Sequence, residues 1–492
     1  MKKSFVAFVI VFFALGLFLV SGCSDKKKKS KTQTPSVLLS FERIKTGAAF
    51  PPFDVVITAN DAKGAPASGL SVIITSSLGT VGAVIDNGDG SYVCRVTPPH
   101  SGEALISATV AEWEITVQRT AAVMMFIHDD WGQPVSVDGP YVNTSGYADS
   151  PCVSPDGEWL LILYSPMQWM PAGAMWYDTS LPEAQKAVGP YDAPLRPDFF
   201  NVRISETGSL THSYPLLGVG PGDLPTTIPM TSLYGFRRQT DGRFGSPFLI
   251  GYNDSGNGCV GGGFGPSIVM KNTTEAVLAI GFDDPLTHLT SGVDILTADV
   301  EFGSTIILGE YLRDSVTTEI TVQNQRAMRV GIDLSGHNGN PHLFANSSNE
   351  IVEIWYDEEA VDHDIYVSTL QTGGLYPAGP WSAPLKLPEP VNTASNVNVQ
   401  PFFTGNRLYF SRDYIGVVYS DYLGGGYENA ASWSDVNFVF LAEASGDTGK
   451  IASAGEPSLC EYNGKTYLYF LYVFFNADGH AQFRVGYVEK IQ

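Results

Sequence analysis

The chain has 492 residues, of which 51 are acidic and 29 basic, giving a formal net charge of −22. Its 44% hydrophobic residues can form large cores, which excludes bulk disorder, and the acidic excess argues against a nucleic-acid partner because phosphate would be repelled. The 51 glycines, 31 prolines and 12% aromatic residues favour many short strands joined by turns. We therefore expect an all-β fold.

Residues 1–22 have the features of an export signal. Two lysines precede an apolar run from Phe5 to Val20, which is shorter than the roughly 20 residues of a membrane-spanning helix. The segment then continues Ser-Gly before Cys23. This ending resembles the lipobox of bacterial lipoproteins. The resemblance implies cleavage before Cys23, diacylglycerol on its sulfur and a further acyl chain such as palmitate, which together give stable membrane anchoring.

The residues that follow predict a location. Residues 23–35 are polar and rich in lysine, and we interpret them as a tether. Ser24 stands where an aspartate would favour inner-membrane retention, so the resemblance implies the outer membrane if the host has two membranes. Four further cysteines allow three complete pairings, with buried free thiols as the simplest interpretation: Cys94, Cys152, Cys259 and Cys460.

Residues 36–120 have the pattern of a small β-sandwich. Short apolar strands recur at close spacing, and one of them alternates with period two, which places Tyr92, Cys94 and Val96 on one face. The turn Asp86–Gly90 opens that strand, and Thr-Pro and Ser-Gly pairs follow it. The stretch resembles bacterial immunoglobulin-like domains of the invasin and filamin-repeat kind, which implies a spacer or adhesive module. We interpret the aspartates of this turn as turn residues, because the ligand series of a calcium loop is absent.

Residues 121–492 contain a repeated unit in which an X-Pro pair precedes an apolar strand, a polar turn and a second apolar strand. The units begin around Pro151, Pro197, Pro266, Pro341, Pro401 and Pro457. Ser-Pro-Asp-Gly at 154–157, Asp-Ile-Tyr-Val-Ser at 364–368 and Trp-Ser-x-Pro at 381–384 resemble the WD-like repeats of TolB-type β-propellers. The resemblance implies a β-propeller.

Six units predict six blades, although five or seven are possible. A closed ring needs a strand from each chain end in one blade, since closure removes the free sheet edges. Residues 121–127 beside residues 482–488 are the candidates for this closure.

The densest acidic cluster runs from Asp357 to Asp364. Its carboxylates and His363 could hold a divalent cation or place a general acid and base together, which makes Asp357, Asp362 and Asp364 candidate metal ligands. The cluster lies between two predicted strands, so we prefer a solvated hairpin turn. Asp283, with the aspartate that follows it, falls at the matching point of an earlier blade, which also favours a blade feature.

Other motifs predict no active site. Gly256–Gly261 matches G-x-G-x-x-G, but the glycine-rich loop leads into a predicted strand, whereas a dinucleotide site needs a helix there. Ser154–Trp159 is one residue short of a sialidase box, and no G-x-S-x-G motif occurs. We therefore expect no catalytic residue, no cofactor and no metal, and a binding protein in preference to an enzyme.

The leading hypothesis is a lipid-anchored cell-envelope protein. Its immunoglobulin-like domain would hold a propeller off the membrane, and the propeller would bind an envelope protein or glycan. The alternatives are a carbohydrate-active hydrolase with carboxylates in the propeller channel and a purely structural envelope component. Three converging channel carboxylates beside aromatic side chains would favour the hydrolase, whereas a plain polar channel beside an exposed aromatic patch would favour binding.

Overall fold

The computed structural model describes most of the chain from residue 34 onward. The described residues are 34–139, 141–143, 147–165, 232–245, 248–249, 252–254, 257–259, 263–283, 293–302, 323–328, 338–358, 363–376, 379–477, 479 and 481–491. They contain no α-helix, and apart from two 3-10 turns, Ala111–Trp113 and Ala430–Ser432, their regular structure is β-strand. None of them belongs to a helix with the length and hydropathy of a membrane span. The predicted signal peptide and Cys23 lie outside the described residues.

The N-terminal part is a β-sandwich, as the sequence predicted. One sheet has the order β1-β2-β6-β4, with β5 also paired to β6, and the facing sheet has the order β3-β7-β8. The strands are β1 (Ser36–Arg43), β2 (Phe53–Asn60), β3 (Val72–Ser76), β4 (Thr80–Val81), β5 (Ile85–Asp86), β6 (Ser91–Thr97), β7 (Gly102–Val110) and β8 (Ile115–Val123).

The sandwich core follows from period-two alternation. In β6, Tyr92, Cys94 and Val96 are 1%, 2% and 0% exposed, which confirms the predicted inward face. Strand β2 alternates in the same way and pairs with β6 in the same sheet, so its buried side chains join the same hydrophobic cluster. Burial of each such side chain contributes about 1.5–3 kcal/mol. In the turn before β6, Asp86 and Asp89 accept hydrogen bonds from nearby main-chain N–H groups, as expected of turn residues.

The rest of the described chain forms five blades of antiparallel sheet. Two short strands precede the first blade, β9 (Phe126–Ile127) and β10 (Val135–Ser136). The first two blades and the hairpin between them contain β11 (Tyr147–Val153), β12 (Trp159–Ser165), β13 (Ser232–Arg237), β14 (Phe248–Leu249), β15 (Tyr252–Asp254), β16 (Asn257–Cys259), β17 (Gly263–Met270), β18 (Glu275–Asp283), β19 (Val293–Glu301) and β20 (Gln323–Met328).

The third blade contains five strands. The fourth and fifth blades each gain one short strand, β9 or β10, from the segment that precedes the first blade. The strands are β21 (Asn338–Ala345), β22 (Ile351–Glu358), β23 (Ile365–Leu375), β24 (Gly379–Trp381), β25 (Leu385–Lys386), β26 (Asn398–Thr404), β27 (Arg407–Arg412), β28 (Gly416–Asp421), β29 (Asn437–Leu441), β30 (Ile451–Tyr462), β31 (Lys465–Phe475) and β32 (Ala481–Glu489). Strand β9 joins the fourth blade beside β29, and β10 joins the fifth beside β32.

The ring closes with five blades in the part of the chain that the structure describes. The innermost strands are β11, β17, β21, β26 and β30, and each contacts the innermost strand of both neighbours, including β11 with β30. The predicted count of six is therefore corrected to five. The sixth unit, around Pro197, lies outside the described residues.

Both chain ends contribute to ring closure, but the closing strand differs from the predicted one. Val135 and Ser136 of β10 pair with Tyr487 and Gly486 of β32, so an early strand completes the last blade. Residues 121–127 are instead divided, because β8 ends at Val123 and β9 pairs with the fourth blade. The pairing takes place farther along the chain because β8 first completes the sandwich sheet.

The sandwich and the propeller share one continuous sheet. Ala121 of β8 pairs with Val135 of β10, so the sheet β3-β7-β8 continues into the fifth blade. The predicted boundary at residue 120 falls inside β8. Polar contacts reinforce this junction: the Tyr472 hydroxyl donates to Glu103 Oε1 at 2.6 Å. Burial raises the pKa of Glu103 despite the nearby guanidinium of Arg484.

Each innermost strand carries a bulge immediately before its proline. The bulge residues Ser150, Gly265, Asn340, Gln400 and Glu456 have φ between 44° and 59°. Four of them are not glycine, and a left-handed conformation costs such residues about 1–2 kcal/mol. Register shifts occur at the same point in all five strands. The repeated X-Pro pairs of the sequence therefore mark one backbone feature, which recurs once in each described blade.

Candidate binding site in the propeller channel

The five bulge residues and the prolines that follow them form a collar at the narrow end of the channel. Side-chain oxygens of one blade accept hydrogen bonds from main-chain N–H groups of the next blade. Asp357 Oδ2 accepts from Gln400 N at 2.5 Å, and Gln400 Oε1 accepts from Glu456 N at 3.2 Å. Glu456 Oε2 accepts from Ser150 N at 2.6 Å, which links the last blade to the first. These bonds offset the cost of the bulges and hold three blade interfaces together.

The second strand of a blade supplies part of this linkage. Asp357 of β22 lies opposite Gly339, directly before a bulge, and Ser411 lies at the equivalent place in β27. Ser411 Oγ accepts a hydrogen bond from Glu456 N at 2.9 Å, in the bulge of the next blade, just as Asp357 accepts one from Gln400 N in the blade after its own. In the second blade this place is held by Gly281, so Asp283 lies two residues farther along. The predicted match between Asp283 and Asp357 is therefore wrong by two residues, since Gly281 is the residue that corresponds to Asp357.

The three candidate metal ligands do not form a cluster among the described residues. Asp357 is fully buried in the collar, where Asn340 Nδ2 also donates to it at 3.0 Å. Asp364 forms an ion pair with Lys386 of β25. Asp362 lies outside the described residues. Across the described part of the chain, no three His, Cys, Asp or Glu side chains converge in a way that would hold a metal.

Beyond the collar the channel widens into a cavity of about 790 Å³, which we call the central cavity. The collar encloses only about 40 Å³, and the two spaces meet at Cys152, Ser267, His342 and Phe402. The central cavity is lined by the innermost strands of all five blades and by the turns that follow them. Its volume lies within the roughly 300–1,000 Å³ of small-molecule sites, whereas the collar has room for about one water molecule.

The wall of the central cavity combines rings, a charged pair and an exposed apolar group. Phe402 is half-buried and packs on His342, with ring centroids 4.3 Å apart. Arg407 makes a two-point ion pair with Asp421 at 2.6 and 2.9 Å. Leu423 is 66% exposed at the cavity. This wall provides polar, aromatic and apolar contacts within one concave surface.

Burial controls the ionisation of the groups at the channel wall. It lowers the pKa of His342 to about 4, against the opposing effect of the hydrogen bond from Nε2 to Phe403 O at 2.8 Å. His342 is therefore neutral at pH 7. Burial also raises the pKa of Cys152 and of Cys460 to about 12, so both thiols stay protonated and unreactive. These two cysteines and Cys94 are free, in agreement with the expected buried thiols.

The comparisons with known proteins identify the sandwich. Residues 53–129 match the family model of invasin domain 3, an immunoglobulin-like domain, as the resemblance implied. The match covers the sandwich from β2 and extends past the ends of β8 and β9. No curated protein matches the chain.

Several solved structures align with most of the chain at low similarity. Beta-1,2-mannobiose phosphorylase from Listeria innocua aligns with a TM-score of 0.34 and 8% identity over 74% of this chain and 92% of its own. An alpha-L-arabinanase from Cellvibrio cellulosa, complexed with arabinohexaose, aligns with a TM-score of 0.32 and 9% identity, over 70% and 91%. We draw no conclusion about function from similarities at this level. The propeller assignment rests on the sheet topology described above.

Sequence reasoning located the X-Pro repeats but not the collar or the central cavity. The repeats indicated the bulges, because a proline directly follows each bulge residue. Nothing in the sequence indicated that Gln400, Glu456 and Ser150 would be hydrogen-bonded to one another. The Arg407–Asp421 pair spans two neighbouring strands and had no motif to reveal it.

Proposed function

We propose that the chain is a lipid-anchored cell-envelope protein whose propeller binds an envelope glycan or polypeptide in the central cavity. The observation that carries the proposal is the cavity itself, with a volume of about 790 Å³ and a wall that combines polar, aromatic and apolar groups. Sites for small ligands and chain segments have this size and mixture. The sandwich then serves as the spacer between the tether and the propeller.

The junction supports a spacer role. A sheet that continues from the sandwich into the fifth blade fixes the orientation of the propeller more firmly than a flexible linker would. Arg119 of β8 pairs with Asp138 at 2.9 Å and also donates to the Tyr487 hydroxyl. Strand β1 begins at Ser36, directly after the predicted tether. A ligand captured by the propeller would therefore be held at a defined angle to the sandwich.

The binding proposal is tested with a matched pair of exposed leucines. Leu423 lines the central cavity and is 66% exposed, whereas Leu38 lies on the sandwich and is 65% exposed. The tethered full chain captures partners from its own envelope, which are identified by mass spectrometry and by a glycan array. Leu423→Asp should weaken capture by about tenfold, since it places a charge against the bound ligand. Leu38→Asp should leave capture unchanged, and equal capture by both variants would refute the site.

The hydrolase alternative has one observation in its favour. The collar contains two carboxylates, of which Glu456 lines the channel and Asp357 is fully buried behind it. Both carboxylates accept hydrogen bonds from main-chain N–H groups of neighbouring blades, which favours a structural role for them. Incubating the captured glycan with the chain and measuring new reducing ends separates the alternatives. Cleavage that is lost in Glu456→Gln, while the variant still binds, would replace the binding proposal with the hydrolase.

The anchor and the outer-membrane location are proposals that rest on the lipobox resemblance. Cys23→Ser removes the sulfur that would carry the diacylglycerol. Metabolic labelling with a fatty acid should mark the natural chain and not the variant, which should accumulate as an unprocessed precursor. A variant that is still acylated and cleaved before residue 23 would refute the lipoprotein assignment.

A further inference from the structure

The fourth blade presents an ion pair to the central cavity. Arg407, the first residue of β27, lies opposite Asp421, the last residue of β28, and both residues line the cavity. Within β27, Arg407 and Tyr409 line the cavity and the residue between them does not. Because successive side chains of a strand point to opposite faces, this alternation places the guanidinium itself, with the carboxylate paired to it, on the cavity side.

The pair is held in place and keeps hydrogen-bonding capacity. The guanidinium of Arg407 lies over the ring of Tyr419, with Cζ 4.0 Å from the ring centroid. The main-chain N–H of Asp421 donates to Ser434 Oγ at 2.8 Å, which fixes the end of β28. The two charged side chains are still 23% and 29% exposed. Their mutual bonds use only Nε and Nη2 of the guanidinium, so further N–H donors and carboxylate lone pairs lie next to each other at the wall.

The charges of the cavity wall favour an uncharged ligand. The charged side chains among the described lining residues are Arg407, Asp421, Glu461 and Lys490, two of each sign. Their formal charges cancel, so an ionic ligand would lose hydration in the cavity without a net opposite charge to compensate. An uncharged ligand with many hydroxyl groups does not meet this cost.

The main-chain groups at the channel disfavour a polypeptide. A polypeptide segment commonly binds by adding a strand to a free sheet edge. In β11 the N–H of Val153 donates to Ser458 Oγ at 2.9 Å, and in β21 the N–H of Leu343 donates to Ser267 Oγ at 2.9 Å. In β26 the carbonyl of Phe403 accepts from an imidazole. Three of the five innermost strands thus have main-chain groups occupied by side chains of neighbouring blades, which leaves recognition to the side chains of the wall.

We propose that Arg407 and Asp421 bind neighbouring hydroxyl groups of an uncharged glycan. This inference rests on the proposed function of the central cavity and names its ligand class. One hydroxyl oxygen accepts a hydrogen bond from the guanidinium, and the adjacent hydroxyl donates one to the carboxylate. Leu423, which is 66% exposed, and the half-buried ring of Phe402 provide apolar contacts for the C–H groups of the sugar.

The test gives the tethered full chain three portions of its own envelope fragments: untreated, oxidised with sodium periodate, and digested with protease. Periodate cleaves sugars between neighbouring hydroxyl groups, so it should abolish capture, whereas protease should leave capture unchanged. Capture should also persist in about 1 M salt, because an uncharged ligand gains nothing from long-range attraction. Capture that survives periodate, or that protease removes, would overturn the inference in favour of a polypeptide. No capture from the untreated portion would overturn the proposed function itself.

Two pairs of variants locate the contact. Asp421→Asn and Arg407→Lys should each weaken capture about tenfold, because each removes part of the array of charged donors and acceptors. Arg95 and Asp54 form an equivalent cross-strand pair on the sandwich, with Nε–Oδ1 and Nη2–Oδ2 distances of 3.0 and 3.3 Å. Asp54→Asn and Arg95→Lys are therefore the matched controls, and they should leave capture unchanged.

Urea unfolding of the four variants separates binding from folding. Asp421→Asn preserves the shape of the side chain, so it decides the matter if Arg407→Lys is less stable. Unchanged capture in Asp421→Asn, or equal weakening in Asp54→Asn, would refute the contact. If Leu423→Asp still abolishes capture in that case, the central cavity remains the site and only the assignment of Arg407 and Asp421 to the hydroxyl groups is wrong.

Discussion

Acidification should destabilise the chain through His342, which is buried at the channel wall. The pKa of its imidazole is about 4 in the folded chain, against an ordinary value of 6.5. Between these two values the unfolded chain binds the proton and the folded chain does not, so lowering the pH favours unfolding. The contribution of neutral His342 to stability is fully present above pH 6.5 and is lost as the pH falls towards 4.

The magnitude follows from the gap between the two pKa values. Each unit corresponds to about 1.36 kcal/mol, so a gap of roughly 2.5 units gives about 3 kcal/mol between pH 7 and pH 4. Urea unfolding followed by tryptophan fluorescence at pH 7, 5.5 and 4 measures this change. His342→Gln keeps a donor for the carbonyl of Phe403 but cannot bind the proton, so it should lose about 3 kcal/mol less on acidification.

Comparison of the two chains isolates the histidine from other groups. Burial raises the pKa of Glu103 and of Asp138, and these carboxyl groups act in the opposite direction, because their contributions are larger in acid and are lost as the pH rises. They are present in both chains and cancel in the difference. Parallel stability profiles for the natural chain and His342→Gln would refute the reasoning, as would an imidazole that titrates near 6.5 by NMR.

Three further predictions concern the collar and the domain boundary. Asp357→Ala should cost about 3 kcal/mol in urea unfolding, since it leaves a buried N–H without its acceptor, and Asp357→Asn should cost less. Gly265→Ala should cost at least about 2 kcal/mol more than Gly405→Ala, because both glycines have positive φ but only the first would place Cβ 2.6 Å from the backbone of a neighbouring blade. Equal costs would show that conformation alone matters. Residues 36–129 should melt at a higher temperature than residues 36–120, because β8 continues past residue 120, and identical melting curves would support the boundary at 120.

The sequence alone determined the parts of this protein that arise from local patterns. Alternation with period two placed Tyr92, Cys94 and Val96 inward because a strand directs successive side chains to opposite faces. The X-Pro pairs located the innermost strands. Proline has no main-chain N–H, so each pair interrupts the hydrogen bonding of its strand at the same point. The turns of this region also indicated the resemblance to immunoglobulin-like domains, and a family model of invasin domain 3 matches residues 53–129.

The tertiary structure alone decided the blade count, the collar and the junction. The collar joins Ser150 to Glu456, which lie 306 positions apart, and a hydrogen bond at the junction of sandwich and propeller joins Arg43 to His128, which lie 85 positions apart. No local pattern encodes such pairs, because they depend on where the ring closes. The ring closes at five blades when β10 pairs with β32, and this geometry positions the neutral His342 and the central cavity.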